Sequence, residues 1–121
     1  MQVLVVDDEP IISLVLREVL IDEGYQVDIA RNGTDALRLL RHIPIPNIIL
    51  LDLSLPDMSG NTVVESIRSN PAFNDTAIIL ITAYSSKDAD FPDPTMFQSV
   101  ISKPFDIDDV VKQVHRFCST K

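Results

Sequence analysis

Apolar positions along the chain follow two alternating periods. Val3-Leu4-Val5-Val6 is short and wholly apolar, as a strand covered on both faces requires. Asp7-Asp8-Glu9 end it. Pro10 suits the first turn of a helix, where its missing N–H would be unpaired anyway. Ile11, Ile12, Leu14, Val15, Val19 and Leu20 continue at helical spacing, and Gly24 is a C-terminal stop. Tyr25 to Ala30 reads as a second strand. Asn32-Gly33 signals a turn, and Thr34 or Asp35 can cap a second helix carrying Ala36, Leu37, Leu39 and Leu40. After Pro44 and Pro46, Ile48-Ile49-Leu50-Leu51 makes a third apolar strand ending in Asp52. A third helix is expected from about Asn61 to Ser69, with Val63, Val64 and Ile67 on its apolar side. Ala77 to Ile81 is the fourth strand, ending at Thr82, and Val100-Ile101 a brief fifth, ending at Lys103-Pro104. Asp106 caps a last helix that reaches Cys118, with Val110, Val111, Val114 and Phe117 inward.

Strand and helix patterns that alternate in this way imply an α/β fold, a parallel sheet with right-handed crossovers and helices on both faces. The chain has 121 residues, which predicts one domain over 1–121. No repeat, low-complexity tract or linker interrupts it. The weak place is Ser85 to Ser99, where a helix is due between strands four and five. Pro92 and Pro94 sit inside it. Proline in a helix interior costs about 3 kcal/mol, so this helix is expected to be short or absent. The segment is expected to be mobile and to order on modification or partner binding.

Charge narrows the partners. Acidic residues number 18 and basic residues 10, a net charge of −8. Phosphate binding needs clustered Lys and Arg, so direct contact with nucleic acid is not expected, nor is adsorption to anionic lipid. One cysteine, Cys118, cannot form an internal disulfide, which fits a reducing cytoplasm. No apolar run approaches the roughly 18–20 residues of a membrane span, and the N-terminus has no signal-peptide pattern.

The surplus acids raise the question of chemistry. In open α/β sheets, ligands bind outside the carboxyl ends of the strands, near the point where strand order reverses. Those ends carry Asp7, Asp8 and Glu9 after strand one, Asp52 after strand three, Thr82 after strand four and Lys103 after strand five. Two carboxylates about 4 Å apart repel by roughly 4 kcal/mol at an effective dielectric near 20, so the cluster needs a cation. Oxygen-only ligands favour Mg²⁺, which is usually held by one or two carboxylates together with phosphate oxygens. Lys103 supplies a second positive charge, and Thr82 can donate a hydrogen bond to a phosphoryl oxygen. Each feature also has a plain reading. The acidic run can serve a helix N-terminus. Asp52 can cap a loop, Thr82 can be a strand residue and Lys103 a solvated charge. Their coincidence at four strand ends favours a metal-assisted phosphoryl site.

In these residues the sequence closely resembles the receiver domain of bacterial two-component response regulators. The marks are Val5-Val6-Asp7-Asp8-Glu9-Pro10, the stretch Leu51-Asp52-Leu53-Ser54-Leu55-Pro56-Asp57-Met58-Ser59-Gly60, Thr82-Ala83 and Lys103-Pro104-Phe105. The resemblance covers essentially the whole chain. It implies a flavodoxin-like three-layer sandwich with a five-stranded parallel sheet of order 2-1-3-4-5. It implies that Asp52 takes a phosphoryl group from a phosphohistidine, the donor being a sensor histidine kinase or a histidine phosphotransfer protein. It implies Mg²⁺ or Mn²⁺ held by Asp8, Asp52 and the backbone carbonyl of Ser54, and through water by Asp7. Lys103 and the metal would neutralise the transferring group, and Thr82 would move toward it once Asp52 is modified. The protein would be a monomer or a weak phosphorylation-dependent dimer, would signal to a downstream partner, and would turn over no external substrate. A cis peptide before Pro104 is also implied. Gly60 and Pro56 would shape the loop that presents Asp52.

Two departures concern the output. The family usually has Tyr or Phe three residues before the lysine, as a rotamer switch, where this chain has Val100. Tyr84 either substitutes for it or is a loop aromatic flanking the site. The second departure is the interrupted Ser85–Ser99 segment. His42 and His115, both expected on helices, and Cys118 are expected to be structural. Three other functions compete. A phosphohydrolase of the haloacid-dehalogenase type wants an acid two residues after its nucleophile, where this chain has Ser54. An unphosphorylated docking module has no need of the full Asp8, Asp52, Thr82 and Lys103 set. A flavodoxin-like electron carrier needs a Ser, Thr and Gly loop where this chain places three acids. The chain is either a stand-alone regulator or part of a longer protein.

Overall fold

A computed structural model describes residues 1–83 and 91–118. Five strands, β1 (Gln2–Val6), β2 (Gln26–Ala30), β3 (Ile48–Asp52), β4 (Ala77–Thr82) and β5 (Ser99–Ser102), form one sheet. All pairs are parallel, and the order is β2-β1-β3-β4-β5. Among the described residues four α-helices accompany them: α1 (Pro10–Asp22), α2 (Gly33–Leu39), α3 (Gly60–Arg68) and α4 (Ile107–Cys118). This is the flavodoxin-like arrangement expected from the sequence.

The apolar runs form strands because both faces of the sheet are covered. Val3, Val5, Ile48, Leu50, Ile79 and Ile81 point to one side, against Leu16 and Leu20 of α1 and Val110 and Val114 of α4. Leu4, Val6, Ile49, Leu51, Ile78 and Leu80 point to the other, against Ala36 of α2 and Val63, Val64 and Ile67 of α3. Helix α1 departs from its apolar pattern. It buries Ser13, Leu16 and Leu20, and leaves Ile11, Leu14 and Val15 on the surface. Its C-terminus is a Schellman closure: Gly24, at φ 96°, donates to the Ile21 carbonyl, and Tyr25 donates to that of Leu20. The cap of α2 is Asn32, whose side chain accepts from the Asp35 N–H at 2.7 Å, rather than Thr34 or Asp35. That helix ends at Leu39, so His42 lies in the following turn, not on a helix. His115 lies on α4 and ties it to the α1–β2 turn, with Nδ1 2.5 Å from the Tyr25 hydroxyl and Nε2 2.8 Å from Glu23.

The interrupted region before β5 is non-helical over its described part. Residues 91–98 carry a 3-10 turn, Pro94–Met96, with the Asp93 side chain accepting from the Thr95 N–H at 2.9 Å. Among the described residues no α-helix lies between β4 and β5. Phe91 and Phe97 pack edge to face at 5.7 Å and, with Met96, cover the α3 side of the sheet. Residues 84–90, including Tyr84, lie outside the described residues.

Two glycines show how tightly the loop after β3 is packed. A methyl group on Gly60 would meet Leu53 Cδ2 and lie 2.8 Å from the Leu53 Cα, a backbone atom that cannot retreat alone. A methyl group on Gly33 would meet the flexible Met58 side chain, with Sδ at 2.6 Å. Gly60→Ala should therefore cost about 1–3 kcal/mol by denaturant unfolding, and Gly33→Ala under about 1 kcal/mol. Equal losses would contradict this account of the loop.

Candidate functional site

The sheet order reverses between β1 and β3: the chain passes from β1 outward to β2, then returns to the other side of β1. At such a point the two crossovers run to opposite faces of the sheet, leaving a crevice outside the strand ends. The register pairs Val6 with Leu51, so Asp7 and Asp52 leave their strands side by side. Both are buried, at 2% and 1% exposure. Asp8 and Glu9 continue from Asp7 into solvent. Carboxylate oxygens of Asp7, Asp8, Glu9 and Asp52 all lie within 4.8 Å of one another.

Backbone and side-chain bonds fix the buried pair. The Asp7 N–H donates to the Ala30 carbonyl, and Asp7 Oδ1 accepts from the Glu9 N–H at 2.8 Å. Asp52 Oδ1 accepts from the Ser54 N–H at 2.8 Å. Asp52 Oδ2 accepts from Lys103 Nζ at 2.7 Å. Lys103 is carried by the loop after β5, its own N–H donating to the Thr82 carbonyl at 3.0 Å, and its Nζ also lies 3.7 Å from Glu9 Oε1. Thr82 is buried at the end of β4. The Lys103–Pro104 peptide is cis, as the resemblance implies.

Charge in this pocket is unbalanced. Burial pushes the Asp7 carboxyl up to about 6, the Asp52 charge adding to the rise while the Glu9 N–H opposes it. Burial pulls the Lys103 ammonium down, but its hydrogen bond to Asp52 and the charges of Asp52, Asp7 and Glu9 outweigh this, leaving its pKa above the ordinary value. Among the described residues, Asp7 Oδ2 is a buried side-chain oxygen with no hydrogen-bond partner. A fully buried, unpaired carboxylate oxygen is costly. Asp7 belongs to a cluster of four carboxylates, a donor set made only of oxygen. Such a set suits a hard divalent cation, which would satisfy the orphaned oxygen and offset the repulsion.

Asp7, Asp8, Asp52 and Lys103 are thus brought together as the sequence predicts, with Thr82 buried beside Lys103 through the backbone and Ser54 joined to Asp52 through its N–H. Glu9 belongs to the same cluster and contacts Lys103, a role that the acidic run alone did not single out. Asp57 was also missed. Its carboxylate accepts from the Gly33 N–H, and from the Thr34 N–H and hydroxyl, clipping the loop after Asp52 to the start of α2. The Thr34 hydroxyl first, then the two N–H groups, hold its carboxyl down at about 2. The signal available for it was the Pro-Asp turn, but its partner lies 23 residues away in sequence. Val100, where the resemblance implies a switch aromatic, is 39% exposed and carries no ring to rotate.

The chain matches known proteins over nearly its full length. The family model for the response regulator receiver domain matches residues 3–115. Sporulation initiation phosphotransferase F of Bacillus subtilis is 31% identical over 121 residues, covering 99% of this chain and 95% of that protein. The transcriptional regulatory protein KdpE of Mycobacterium tuberculosis is 37% identical over 112 residues, 93% of this chain but 48% of KdpE. The chain therefore spans about half the length of some curated relatives it matches. The crystal structure of response regulator TrrA from Thermotoga maritima, in complex with Mg²⁺-BeF, superposes with a TM-score of 0.81 at 35% identity, covering 96% of this chain and 97% of that one. Chemotaxis response regulator CheY4 of Vibrio cholerae gives a TM-score of 0.87 at 26% identity, covering 96% and 97%. With the fold, the strand-end acids and these matches in agreement, the chain belongs to the response regulator receiver domains of two-component signalling.

Proposed function

We propose that Asp52 is the phosphoacceptor, and that the domain receives its phosphoryl group from a phosphohistidine on a kinase or phosphotransfer protein. The observation that carries this reading is the Lys103 Nζ, 2.7 Å from the buried Asp52 carboxylate, inside a cluster of four acids. An Asp52 oxygen attacks phosphorus, forming an O–P bond as the P–N bond to imidazole breaks, and the leaving nitrogen takes up a proton. Lys103 stays near the transferring oxygens and offsets their charge, and Thr82 donates a hydrogen bond to the product. Asp8, Asp52 and the Ser54 carbonyl would hold Mg²⁺ directly, with Asp7 acting through water. The bound cation would neutralise charge that builds up on the phosphoryl group.

The surface beside the site suits the donor. Ile11, Leu14 and Val15 are exposed on α1, and Val15 lines an apolar groove with Ile12, Pro104 and Phe105 that opens next to Glu9 and Lys103. A helical donor seated there would bring its phosphohistidine over Asp52, while apolar contact supplies affinity and net negative charge discourages nucleic acid. The domain catalyses its own modification and no reaction of an external substrate. The relatives that are twice its length are transcriptional regulators or regulatory proteins, so output through an attached or separate effector is the downstream step this reading supports.

Incubation with a small phosphodonor and Mg²⁺ should label the protein, and Asp52→Asn should abolish the label, read by mass shift or radiolabel. A label that survives this change would remove Asp52 as the acceptor. Phosphotransfer from histidine kinases should require Mg²⁺ and be lost on chelation.

The Asp7 carboxyl gives a pH prediction for the metal-free protein. Its folded pKa lies above the usual 3.8, at about 6, so between these values the folded state binds more protons than the unfolded one. The Asp7 contribution to stability therefore falls as pH rises from about 4 to about 6, by up to about 3 kcal/mol, and does not change further above that. Asp7→Asn should flatten this slope and raise metal-free stability at pH 7.5 by about 1–3 kcal/mol, measured by denaturant unfolding. Mg²⁺ should stabilise the parent protein at pH 7.5 more than the variant. A parent-minus-variant stability difference that does not fall between about pH 4 and about pH 6 would refute this role for Asp7.

A further inference from the structure

Lys103 directly follows β5, the shortest strand of the sheet. It is a four-residue edge strand paired with β4 alone, and Ile101 is its one buried side chain. Slipping its register by one residue would move Lys103 by about 3.3 Å and turn its side chain to the other face. The 2.7 Å contact with Asp52 would not survive that. Hydrophobic pattern does not forbid the slip, because Val100 and Ile101 are both apolar and either could face inward.

The register is secured instead just before the strand begins. The Gln98 N–H donates to the Ile78 carbonyl at 2.9 Å, and the Ile78 N–H donates to the Gln98 side-chain oxygen at 2.7 Å. Gln98 thus closes both backbone groups of a fully buried residue, its amide oxygen standing in for a strand carbonyl. Arg68 Nη2 donates to the same oxygen at 3.1 Å. Arg68 is itself held from three sides: Nε donates to the Met96 carbonyl, Nη1 to that of Phe73 and Nη2 to that of Thr76, at 2.8–2.9 Å. A slip of β5 would carry Gln98 off Ile78, leave a buried N–H unpaired and pull Met96 off the guanidinium.

We infer that Gln98 and Arg68 are positioning residues for Lys103: their clamp on Ile78 sets the β5 register that places the ammonium on Asp52. This rests on the reading of Asp52 as phosphoacceptor. Over residues 91–98, the described part of this connection, no α-helix packs on the sheet, and a side-chain clamp secures the entry to β5 instead.

The test is a double-mutant cycle on the full chain, labelled with acetyl phosphate and Mg²⁺. Gln98→Met should slow labelling by about tenfold to a hundredfold, since small misplacements of a catalytic group cost that much. Gln98→Glu, which keeps an oxygen for Ile78 and Arg68, should restore the rate to within about threefold. In a Lys103→Met background, Gln98→Met should change the residual rate by less than about twofold, because no amine remains to be misplaced. Equal losses in both backgrounds, or no rescue by Glu, would overturn the inference. Should Gln98→Met not fold, Gln98→Asn, one methylene shorter, enters the same cycle. The Lys103 Nζ resonance reads position without any phosphoryl transfer: it should move in Gln98→Asn and return in Gln98→Glu. A resonance that stays put would also overturn the inference. Failure of the parent protein to label on Asp52 would sink the proposed function instead, leaving the resonance to decide the clamp.

Discussion

Mutual repulsion among the carboxylates above β1 and β3 is the constraint around which the site is built. Two such groups about 4 Å apart repel by roughly 4 kcal/mol at a near-surface dielectric, and here four lie within 4.8 Å. Two of the four are buried. One ammonium, from Lys103, meets this charge directly. Burial first, and the Asp52 charge after it, raise the Asp7 pKa, and among the described residues Asp7 Oδ2 has no hydrogen-bond partner. An oxygen-only cluster of this kind suits a hard divalent cation, which would offset its charge.

The fold maintains this arrangement through its two apolar layers. Strands buried on both faces cannot slide without exposing Val, Ile and Leu side chains, so the β1–β3 register and the adjacency of Asp7 and Asp52 are rigid. The loop after Asp52 is held more locally. Asp57 clips it to the start of α2, Gly60 lets its backbone close on Leu53, and the Ser54 N–H orients the Asp52 carboxylate. Lys103 comes from the opposite side of the site on a short edge strand, where apolar packing is thin and polar side chains carry the positioning. The site therefore joins a rigid half and a clamped half. Thr82 lies at the end of β4, in the backbone that links them.

Strand-end chemistry and fold class could be read from the chain because both follow local rules. Apolar runs of four or five residues, separated by helical spacing, specify a parallel sheet with helices on both faces, and strand ends then converge by topology. That topology gathers Asp7, Asp8, Asp52, Thr82 and Lys103 at one edge of the sheet, while the roles proposed for them come from the resemblance to receiver domains. The proline pair at 92 and 94 likewise foretold the non-helical stretch around the Pro94–Met96 turn, because the missing N–H and the ring clash are properties of the residue itself. Helix α1 was read less well. Spacing alone could not distinguish an apolar stripe facing the sheet from the exposed Ile11, Leu14 and Val15 beside the site.

By itself, then, the sequence determined the alternation of elements, the buried strands and the residue types at the strand ends. Tertiary structure decided which acids are buried, which oxygen is left unpartnered and which groups answer one another across the chain. Asp57 with Thr34, Gln98 with Ile78 and Arg68, and Lys103 with Asp52 are separated by 20 to 51 residues. Hydrogen bonds of this kind are short-ranged and directional, so they exist only once the sheet has fixed the distance between their partners. Hydrophobic burial needs only area and period, both of which are written locally, whereas polar positioning needs coordinates.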